Sequence, residues 1–383
     1  MHLKPRNTKL LLPAFSIIMV VLGTQFAGLQ LALLRAVTEF QFDASMIGLP
    51  ATFQFLAICF VPLIFGPISD RVGKKKVIVA FMIVFATGCL ITGTCTSAAM
   101  FLAGIFIIGS GFSVCECLVT AAITDSFPEN GEKYTNYCLS FFSIGAVLSP
   151  LFLQALMDNF SASWRVIFII CTFAMAAVIP LILLAPIKPP SILKNTPVTK
   201  KTEKSFLLFA FILSVFFYMS IEACFPFFAD TIMTHELNSP SLGAYAISLF
   251  WAMLGIGRFY FGIVKQIPKN ITGVFFLCMT AISICMIFVR FEYVMLVMFA
   301  LGGFACSCVW PGIINAAISL NRNASGATIT YLYVVSGIGG ALFPFIIGML
   351  LNNYGLASSF SVLAVFPLIA GIIMLKYSKR ISS

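Results

Sequence analysis

Two carboxyl groups lie inside long apolar stretches of the sequence, where an ionised side chain is costly to bury. Glu116 stands among Ser113, Cys115 and Cys117, and Glu222 has a comparable place in the second half of the chain. A buried acid of this kind can be a protonated donor that holds two helices together, or a group that takes up and releases protons. We favour proton exchange for Glu116, because ionisable residues in membrane-embedded segments usually mark a pathway for ions or substrates. Glu222 can carry a second proton or bind a cationic or hydroxylated ligand.

Arg258 is a basic residue inside another apolar stretch. It can pair with Glu222, bind an anion or extend its guanidinium group to the membrane interface, and the sequence does not choose between these roles. Neutral polar and aromatic groups supply the remaining candidates for a substrate-binding cavity. These candidates are Gln25, Gln30, Asn136, Trp310, Asn315 and Tyr331. Tyr331 and Tyr333 are two residues apart on a predicted helix, so only one of them is expected to face such a cavity.

The common patterns of catalytic and metal-binding sites are missing from the sequence. It has two histidines, His2 and His235, and neither an H-E-x-x-H nor a G-x-S-x-G motif, so we expect no enzyme activity. Most of the twelve cysteines lie within apolar stretches and none forms a C-x-x-C pair, which argues against a disulfide framework. Residues two apart on a helix point to opposite sides, so the two C-x-C pairs indicate packing. We expect no metal and no other cofactor.

The distribution of charge indicates which elements position these residues. Only 9% of the residues are charged and 60% are hydrophobic, and the apolar stretches reach the roughly 20 residues that cross a bilayer. Twelve predicted spans place nineteen of the 23 Lys and Arg in alternate loops. Because basic loops stay in the cytoplasm, we expect a multi-pass protein of the cell (inner) membrane with both termini cytoplasmic. The net charge of +10 follows from this loop bias, so we expect no nucleic-acid partner.

The predicted spans divide into two similar halves. They cover residues 10–34, 46–67, 77–95, 100–122, 135–158, 165–187, 205–230, 241–264, 271–289, 293–319, 324–352 and 357–377. The expected domains are an N-terminal six-helix bundle over 1–187, a cytoplasmic linker over 188–205 that is rich in Pro and Lys, and a C-terminal six-helix bundle over 206–383. Ser143–Pro150 matches Gly337–Pro344 at an offset of 194 residues, which indicates an internal repeat.

A loop motif between the second and third spans carries a family resemblance. The chain reads Gly66-Pro-Ile-Ser-Asp70-Arg71-Val-Gly73, followed by three lysines. This resembles the cytoplasmic G-x-x-x-D-R-x-G-R/K-R/K motif of the major facilitator superfamily. The resemblance implies an all-α membrane protein whose twelve transmembrane helices form two six-helix repeats around a cavity. It also implies a gate in which Gly66 permits close packing, Gly73 a tight turn, and Asp70 with Arg71 a charge-assisted lock.

We assign Arg258 to the same gating set. The alternative interpretation of the whole loop is a solvated basic segment that only fixes the topology.

Segments around the two acids carry a finer resemblance. Phe106–Glu116, Asn136 with Phe141–Gly145, and Tyr218–Glu222 are similar to the fucose permease family of proton-coupled sugar symporters. That family has a Gly-rich fourth span ending in a membrane-embedded Glu, which implies a proton-coupling role for Glu116. The sequence departs from the family in span one, which has no carboxylate, and in span seven, where Glu222 stands in place of a Gln.

The function predicted from the sequence is transport. We expect a monomeric secondary active transporter that moves a small polar solute, sugar-like or a related metabolite, together with protons by alternating access. Uptake is favoured, because the Arg in span four and the G-x-x-x-G-P-x-x-G-G pattern of superfamily drug exporters are missing. A proton-driven exporter of a drug, metabolite or siderophore is the alternative, and a non-transporting membrane sensor is a third interpretation. The expected partners are the solute, protons and the lipid bilayer.

Overall fold

The computed structural model describes residues 10–43, 46–127, 131–185, 187, 204–264, 268, 270–320 and 325–378. This part of the chain is helical, and eleven of its helices are long and apolar enough to cross a membrane. The long apolar stretches of the sequence therefore form membrane-spanning helices, as their composition predicts. Nearly all of the predicted linker over 188–205 lies outside the described residues.

The helices follow one another along the chain with short connections. In order they are α1 (Leu11–Glu39), α2 (Leu49–Val72), α3 (Lys74–Gly93), α4 (Ala98–Ser126), α5 (Gly131–Phe160), α6 (Val166–Leu184), α7 (Lys204–Thr231), α8 (Gly243–Ile263), α9 (Ile271–Phe288), α10 (Glu292–Cys306), α11 (Val309–Leu320) and α12 (Ser325–Ser378). A π-helical turn (Ile232–Glu236) and a 3₁₀ turn (Pro240–Leu242) connect α7 to α8. The long α12 is interrupted at Gly355, whose φ of 77° and ψ of −177° are not helical.

Contacts between residues divide the chain into two compact units. The first consists of Met1–Phe40 and Phe53–Lys194, and the second of Gln41–Thr52 and Asn195–Ser383. In the first unit α1 packs against α5 and α6, and α3 packs against α4 and α6. In the second unit α7 and α9 pack against α12, and α8 packs against α10.

Glycines allow the closest helix crossings. A Cβ atom on Gly23 of α1 would lie 2.1 Å from the carbonyl oxygen of Phe142 on α5. In the second unit, a Cβ atom on Gly303 of α10 would lie 2.0 Å from the carbonyl oxygen of Phe250 on α8. Such contacts exclude any larger residue, which is the small-residue packing typical of membrane helices.

An ion pair joins the ends of α1 and α6 in the first unit. Arg165 donates from Nη1 and Nη2 to the two carboxylate oxygens of Glu39, at 2.8 and 2.7 Å, and from Nε to the carbonyl oxygen of Cys95 at 3.2 Å. Trp164 donates from Nε1 to the same carboxylate at 2.8 Å. The hydrogen bonds that Arg165 donates to the Glu39 carboxylate raise the pKa of Arg165 above its usual value. Every nitrogen of this guanidinium group is therefore engaged, as a structural clamp requires.

Candidate functional site

A carboxylate and a guanidinium group meet between two helices of the second unit. Arg258 on α8 donates from Nη2 to Oε1 of Glu222 on α7 at 3.1 Å. The Arg258 side chain is 29% exposed and the Glu222 side chain is 17% exposed, so both are mostly buried but remain partly accessible. Of the roles left open for Arg258 by the sequence, the structure places it in the pair with Glu222.

A row of aromatic side chains begins at Tyr218, next to this ion pair. Tyr218 lies one helical turn before Glu222, donates its hydroxyl to the carbonyl oxygen of Cys306 at 3.3 Å, and interacts with both charged side chains. The ring of Trp310 stacks on Tyr218 with centroids 6.2 Å apart, and Tyr333 meets Trp310 edge-on at 5.3 Å. We call Tyr218, Glu222, Arg258, Trp310 and Tyr333 the ion-pair cluster. Tyr331, the sequence candidate two residues before Tyr333, is 59% exposed.

Arg258 has hydrogen-bonding capacity that its partners do not use. Its buried Nε has no acceptor among the described residues, and Nη2 makes a single bond to Glu222 rather than a two-point fork. This contrasts with Arg165, where all three nitrogens are engaged. A guanidinium group with spare donors in an apolar setting can bind a second oxygen acceptor.

Glu116 lies on α4 of the first unit. It is half-buried between two cysteines, and the neighbouring Cys115 is fully buried, with its Sγ 3.9 Å from the carbonyl oxygen of Ile78 on α3. Ten residues separate Glu116 from the end of α4, which corresponds to about 15 Å along the helix axis. The acid is therefore well inside the helix, as the sequence predicts.

The glutamine candidates of the first unit lie in the interior of the helix packing. Gln25 and Gln30 on α1 have no exposed surface. Gln54 on α2 donates from Nε2 to Oε1 of Gln25 at 3.2 Å, while Nε2 of Gln25 and Oε1 of Gln54 find no partner among the described residues. The side chains of the other two amide candidates, Asn136 and Asn315, are outside the described part of the structure.

The predicted gate motif forms a tight turn between α2 and α3. Gly73 has φ 103° and ψ 126°, a backbone conformation that L residues rarely adopt. Lys74 forms ion pairs with Asp125 at the end of α4 and, at 3.8 Å, with Asp70. Arg71 is exposed, and a Cβ atom on Gly66 would meet no atom within 4 Å in the part of the chain described. The motif thus brings Asp70 together with Lys74 and Asp125, a contact that the motif alone does not predict, because Asp125 is 51 residues further along the chain than Lys74.

Sequence reasoning also missed two buried polar residues. Asp230 near the end of α7 is 1% exposed and packs against the first residue of α8, where a Cβ atom on Gly243 would lie 1.9 Å from its Oδ1. Gln54 pairs with Gln25 as described. Asp230 and Gln54 could both have been identified from the sequence, because each is an acid or amide inside a long apolar stretch. Asp230 suits the N-terminal end of a helix, where a negative charge is favourable.

The described residues do not contain a cluster of three or more side chains that could hold a metal ion. The donor set of the ion-pair cluster is one carboxylate, one guanidinium group and a phenol, which suits proton exchange and anion binding rather than metal coordination.

The sequence is similar to a known family of proteins and to individual members of it. The family model described as Major Facilitator Superfamily matches residues 14–263 and 210–382. The protein TsgA homolog of Buchnera aphidicola subsp. Baizongia pistaciae is 25% identical over 311 residues, which are 78% of this chain and 76% of that protein. The multidrug resistance protein MdtM of Salmonella typhimurium is 25% identical over 160 residues, which are 41% of this chain. That match spans only 38% of MdtM.

A solved structure agrees with the fold. The inward-facing, unoccupied structure of a bacterial homolog of the human lysosomal transporter Spinster superposes with a TM-score of 0.76, at 16% sequence identity. The superposition covers 98% of this chain and 98% of that one. At this identity the likeness establishes the fold alone.

Proposed function

The chain belongs to the Major Facilitator Superfamily, and from this membership we propose that it is a proton-coupled secondary active transporter of a small polar solute. The proposed solute is sugar-like or a related metabolite, moved by alternating access in the direction of uptake. The pair of Glu222 and Arg258 carries this proposal. A carboxylate held in an apolar helix packing by a single cationic partner can gain or lose a proton when that partner changes its contact.

We assign separate roles to the two membrane-embedded acids. Glu116 in the first unit is the proposed proton carrier, and Glu222 in the second unit is proposed to carry a proton and contact the solute. Trp310 is a further proposed solute contact, because it stacks on Tyr218, which lies one helical turn before Glu222. Gln25 and Gln30 have no exposed surface in this conformation, so their proposed contact with solute requires the helices of the first unit to rearrange. Asn136, Asn315 and Tyr331 are kept as candidate solute contacts.

The proposed architecture has twelve spans in two six-helix repeats. The last apolar helix runs from Tyr331 to Lys376, 46 residues that would extend about 69 Å, more than twice the roughly 30 Å of a bilayer core. We propose that it crosses the membrane twice, with the change of direction at Gly355, where the backbone leaves the helical conformation. The proposed domains run over 1–187 and 206–383, in the inner membrane with both termini cytoplasmic.

The gate is proposed to lie in the turn between α2 and α3. Asp70 shares Lys74 with Asp125, so its carboxylate is positioned by charge at the end of the helices. Breaking and re-forming such charge-assisted contacts is a means of favouring one conformation over another. Gly66, Arg71 and Arg258 are the other residues proposed to take part in gating.

A proton-driven exporter is the second candidate function. Its support is the similarity to MdtM, a protein whose name describes multidrug resistance, over 41% of this chain. The resemblance of the sequence to fucose permeases favours uptake instead. The direction in which the solute is transported distinguishes the proposed symporter from an exporter.

Transport by purified protein in liposomes tests the proposal. Liposomes with an alkaline interior would be offered radiolabelled L-fucose, D-galactose and D-galacturonate. A second set with the same alkaline interior would be loaded with ethidium, because protons that enter from the acidic exterior drive an antiported solute outwards. We expect accumulation of a sugar or sugar acid that collapses when an ionophore removes the pH gradient. Ethidium export without accumulation of any of the three would support the exporter, and facilitated diffusion that is indifferent to the gradient would contradict proton coupling.

A further inference from the structure

We propose that Arg258 binds a carboxylate group of the transported solute, which replaces Glu222 while Glu222 takes up a proton. This inference rests on the proposed transport function and adds the chemical class of its substrate. It starts from the geometry of the pair, in which Arg258 makes one bond from Nη2 and leaves its buried Nε without an acceptor among the described residues. A carboxylate has two oxygens in the spacing of two guanidinium donors, so a solute carboxylate can satisfy both.

Of the two partners, Glu222 is the one that can give way. Arginine keeps its proton at every pH of biological interest, so the positive charge on Arg258 persists and needs a compensating negative charge. Glutamate can become neutral by taking a proton and can then serve as a hydrogen-bond donor. A cationic solute would have to compete with Arg258 for Glu222 and leave the guanidinium group without a counterion, which the apolar setting disfavours.

The groups that interact electrostatically with Glu222 come from three helices. They are Tyr218 on α7 itself, Arg258 on α8 and Cys306 on α10. α11 and α12 contribute the aromatic rings of Trp310 and Tyr333 to the cluster, and both rings are uncharged. The acid therefore has one cationic partner among the described residues. Losing that partner to another anion removes the charged contact of Glu222 and leaves it the hydrogen bond with Tyr218.

Trp310 and Tyr333 give the solute an aromatic surface to contact, whereas the ring of Tyr218 is fully buried. Trp310 and Tyr218 stack with an interplanar angle of 29°, and Tyr333 stands edge-on to Trp310. Faces of this kind pack against the carbon skeleton of a sugar ring or an aromatic acid. The partial exposure of Arg258 and Glu222 lets a small solute approach without unfolding the helices.

The exchange couples one proton to one anion. Before binding, the cluster holds Glu222 as an anion and Arg258 as a cation; after binding, it holds neutral Glu222, Arg258 and the solute carboxylate. The solute brings one negative charge and the aqueous phase supplies one proton, so the net charge of the cluster stays the same. Anion affinity is then linked to pH by one proton, and the dissociation constant falls tenfold for each unit by which pH is lowered while free Glu222 is ionised.

Binding measurements on the purified full-length protein test this linkage. The probes are D-galacturonate, benzoate and acetate, each paired with a neutral counterpart: D-galactose, benzyl alcohol and acetamide. Benzylammonium serves as the cationic probe. Binding would be followed by the fluorescence of Trp310, with Trp164 and Trp251 replaced by Phe, and proton uptake by a pH indicator in weakly buffered solution. We expect at least one carboxylate to bind with a tenfold change per pH unit and uptake of about one proton, and to bind at least tenfold more tightly than its neutral counterpart.

Variants separate the site from a general effect of charge. Glu222→Gln is expected to bind the carboxylate with an affinity that does not change with pH and without proton uptake, because its amide cannot ionise. Arg258→Gln is expected to lose carboxylate binding, and Arg258→Lys to retain it at reduced affinity, which guards against a simple failure to fold. Glu39→Gln is the matched control, since it also removes a carboxylate that is paired with an arginine, here Arg165 with all its nitrogens engaged, and it should leave the pH dependence as in the parent.

The outcomes distinguish this inference from the transport proposal. Three results overturn the inference. The first is a neutral or cationic probe that binds as tightly as the carboxylate or more tightly. The others are carboxylate binding by the parent that does not change with pH, and no detectable binding of any carboxylate. Accumulation of D-galactose under a pH gradient together with any of those results leaves the transport proposal standing. Carboxylate binding with proton uptake, but no accumulation of any probe under a pH gradient, supports the site and contradicts proton-driven transport.

Discussion

Two lysines of the motif between α2 and α3 have specific partners. Lys74 is held between two acids, Asp125 and Asp70, and its side chain is only 16% exposed although it lies at the end of a helix. Lys75, the next residue, donates from Nζ to the carbonyl oxygen of Ala185 at 2.9 Å, beyond the end of α6, where a cation complements the helix dipole. The lysine run of the motif therefore has specific partners as well as the basic charge from which a cytoplasmic loop is predicted.

Replacing Asp70 tests the proposed gate at the scale of one residue. We expect Asp70→Asn to insert and fold normally, because Lys74 keeps Asp125 as a partner, and to slow net transport severalfold, because an amide loses the charge-assisted part of its hydrogen bonds. The rate of solute uptake into liposomes is the measurement. Asp158→Asn, at an exposed acid bonded to Gln154, is the control. Equal rates in the two variants would reduce the motif to a topology signal.

The sequence could identify the acids but not their partners. Glu222 and Glu116 stand out because a carboxylate is rare in an apolar run. The bond from Arg258 to Glu222 joins residues 36 positions apart on two helices, and the side on which each helix packs determines whether they meet. For Gln25 and Gln30 the helix is apolar on nearly every face, so the pattern gives no direction, and packing covers both side chains.

At the scale of helices, glycines allow a short turn between α2 and α3 and close crossings between helices. The turn at Gly73 lets α3 begin two residues after α2 ends, since its φ of 103° reverses the chain without a longer loop. The glycines at the α1–α5 and α8–α10 crossings bring backbones into contact. Gly66, in contrast, has open space where a side chain would be, although its place in the motif suggests close packing. A sequence motif indicates where a glycine is needed. Whether that glycine forms a turn or allows close helix packing depends on the helix that packs next to it.

Substituting the two glycines of the motif separates these roles. Gly73→Ala forces an L residue into a conformation that costs about 1–3 kcal/mol, so we expect a lower melting temperature in detergent. Gly66→Ala adds a methyl group where no described atom lies within 4 Å and is expected to melt as the parent does, with a slight gain in helix propensity. Thermal unfolding followed by circular dichroism compares them. A Gly73→Ala protein as stable as Gly66→Ala would contradict the strained turn.

The molecule as a whole has two compact units with an acid in the membrane-embedded part of each. Composition and length predict the membrane-spanning helices, since every long apolar stretch of the described chain is helical. The ends of the spans are less predictable, because α1 continues for five residues past its predicted end and finishes at Glu39, which Arg165 and Trp164 hold. The repeated segments Ser143–Pro150 and Gly337–Pro344 both lie in helices, each with a proline inside. The proposed proton coupling assigns a role to one acid of each unit, so it has to be tested on the whole chain.

Glu116→Gln tests that coupling most directly. The amide keeps the shape and part of the hydrogen bonding of the acid but cannot carry a proton. With the solute that the parent accumulates in liposomes with an alkaline interior, two rates are compared: accumulation under the pH gradient and exchange of labelled for unlabelled solute without one. We expect the variant to exchange solute at a rate near that of the parent, because exchange needs no net proton movement, and to lose accumulation. Accumulation by Glu116→Gln equal to that of the parent under the same gradient would contradict the account and make Glu116 a structural residue.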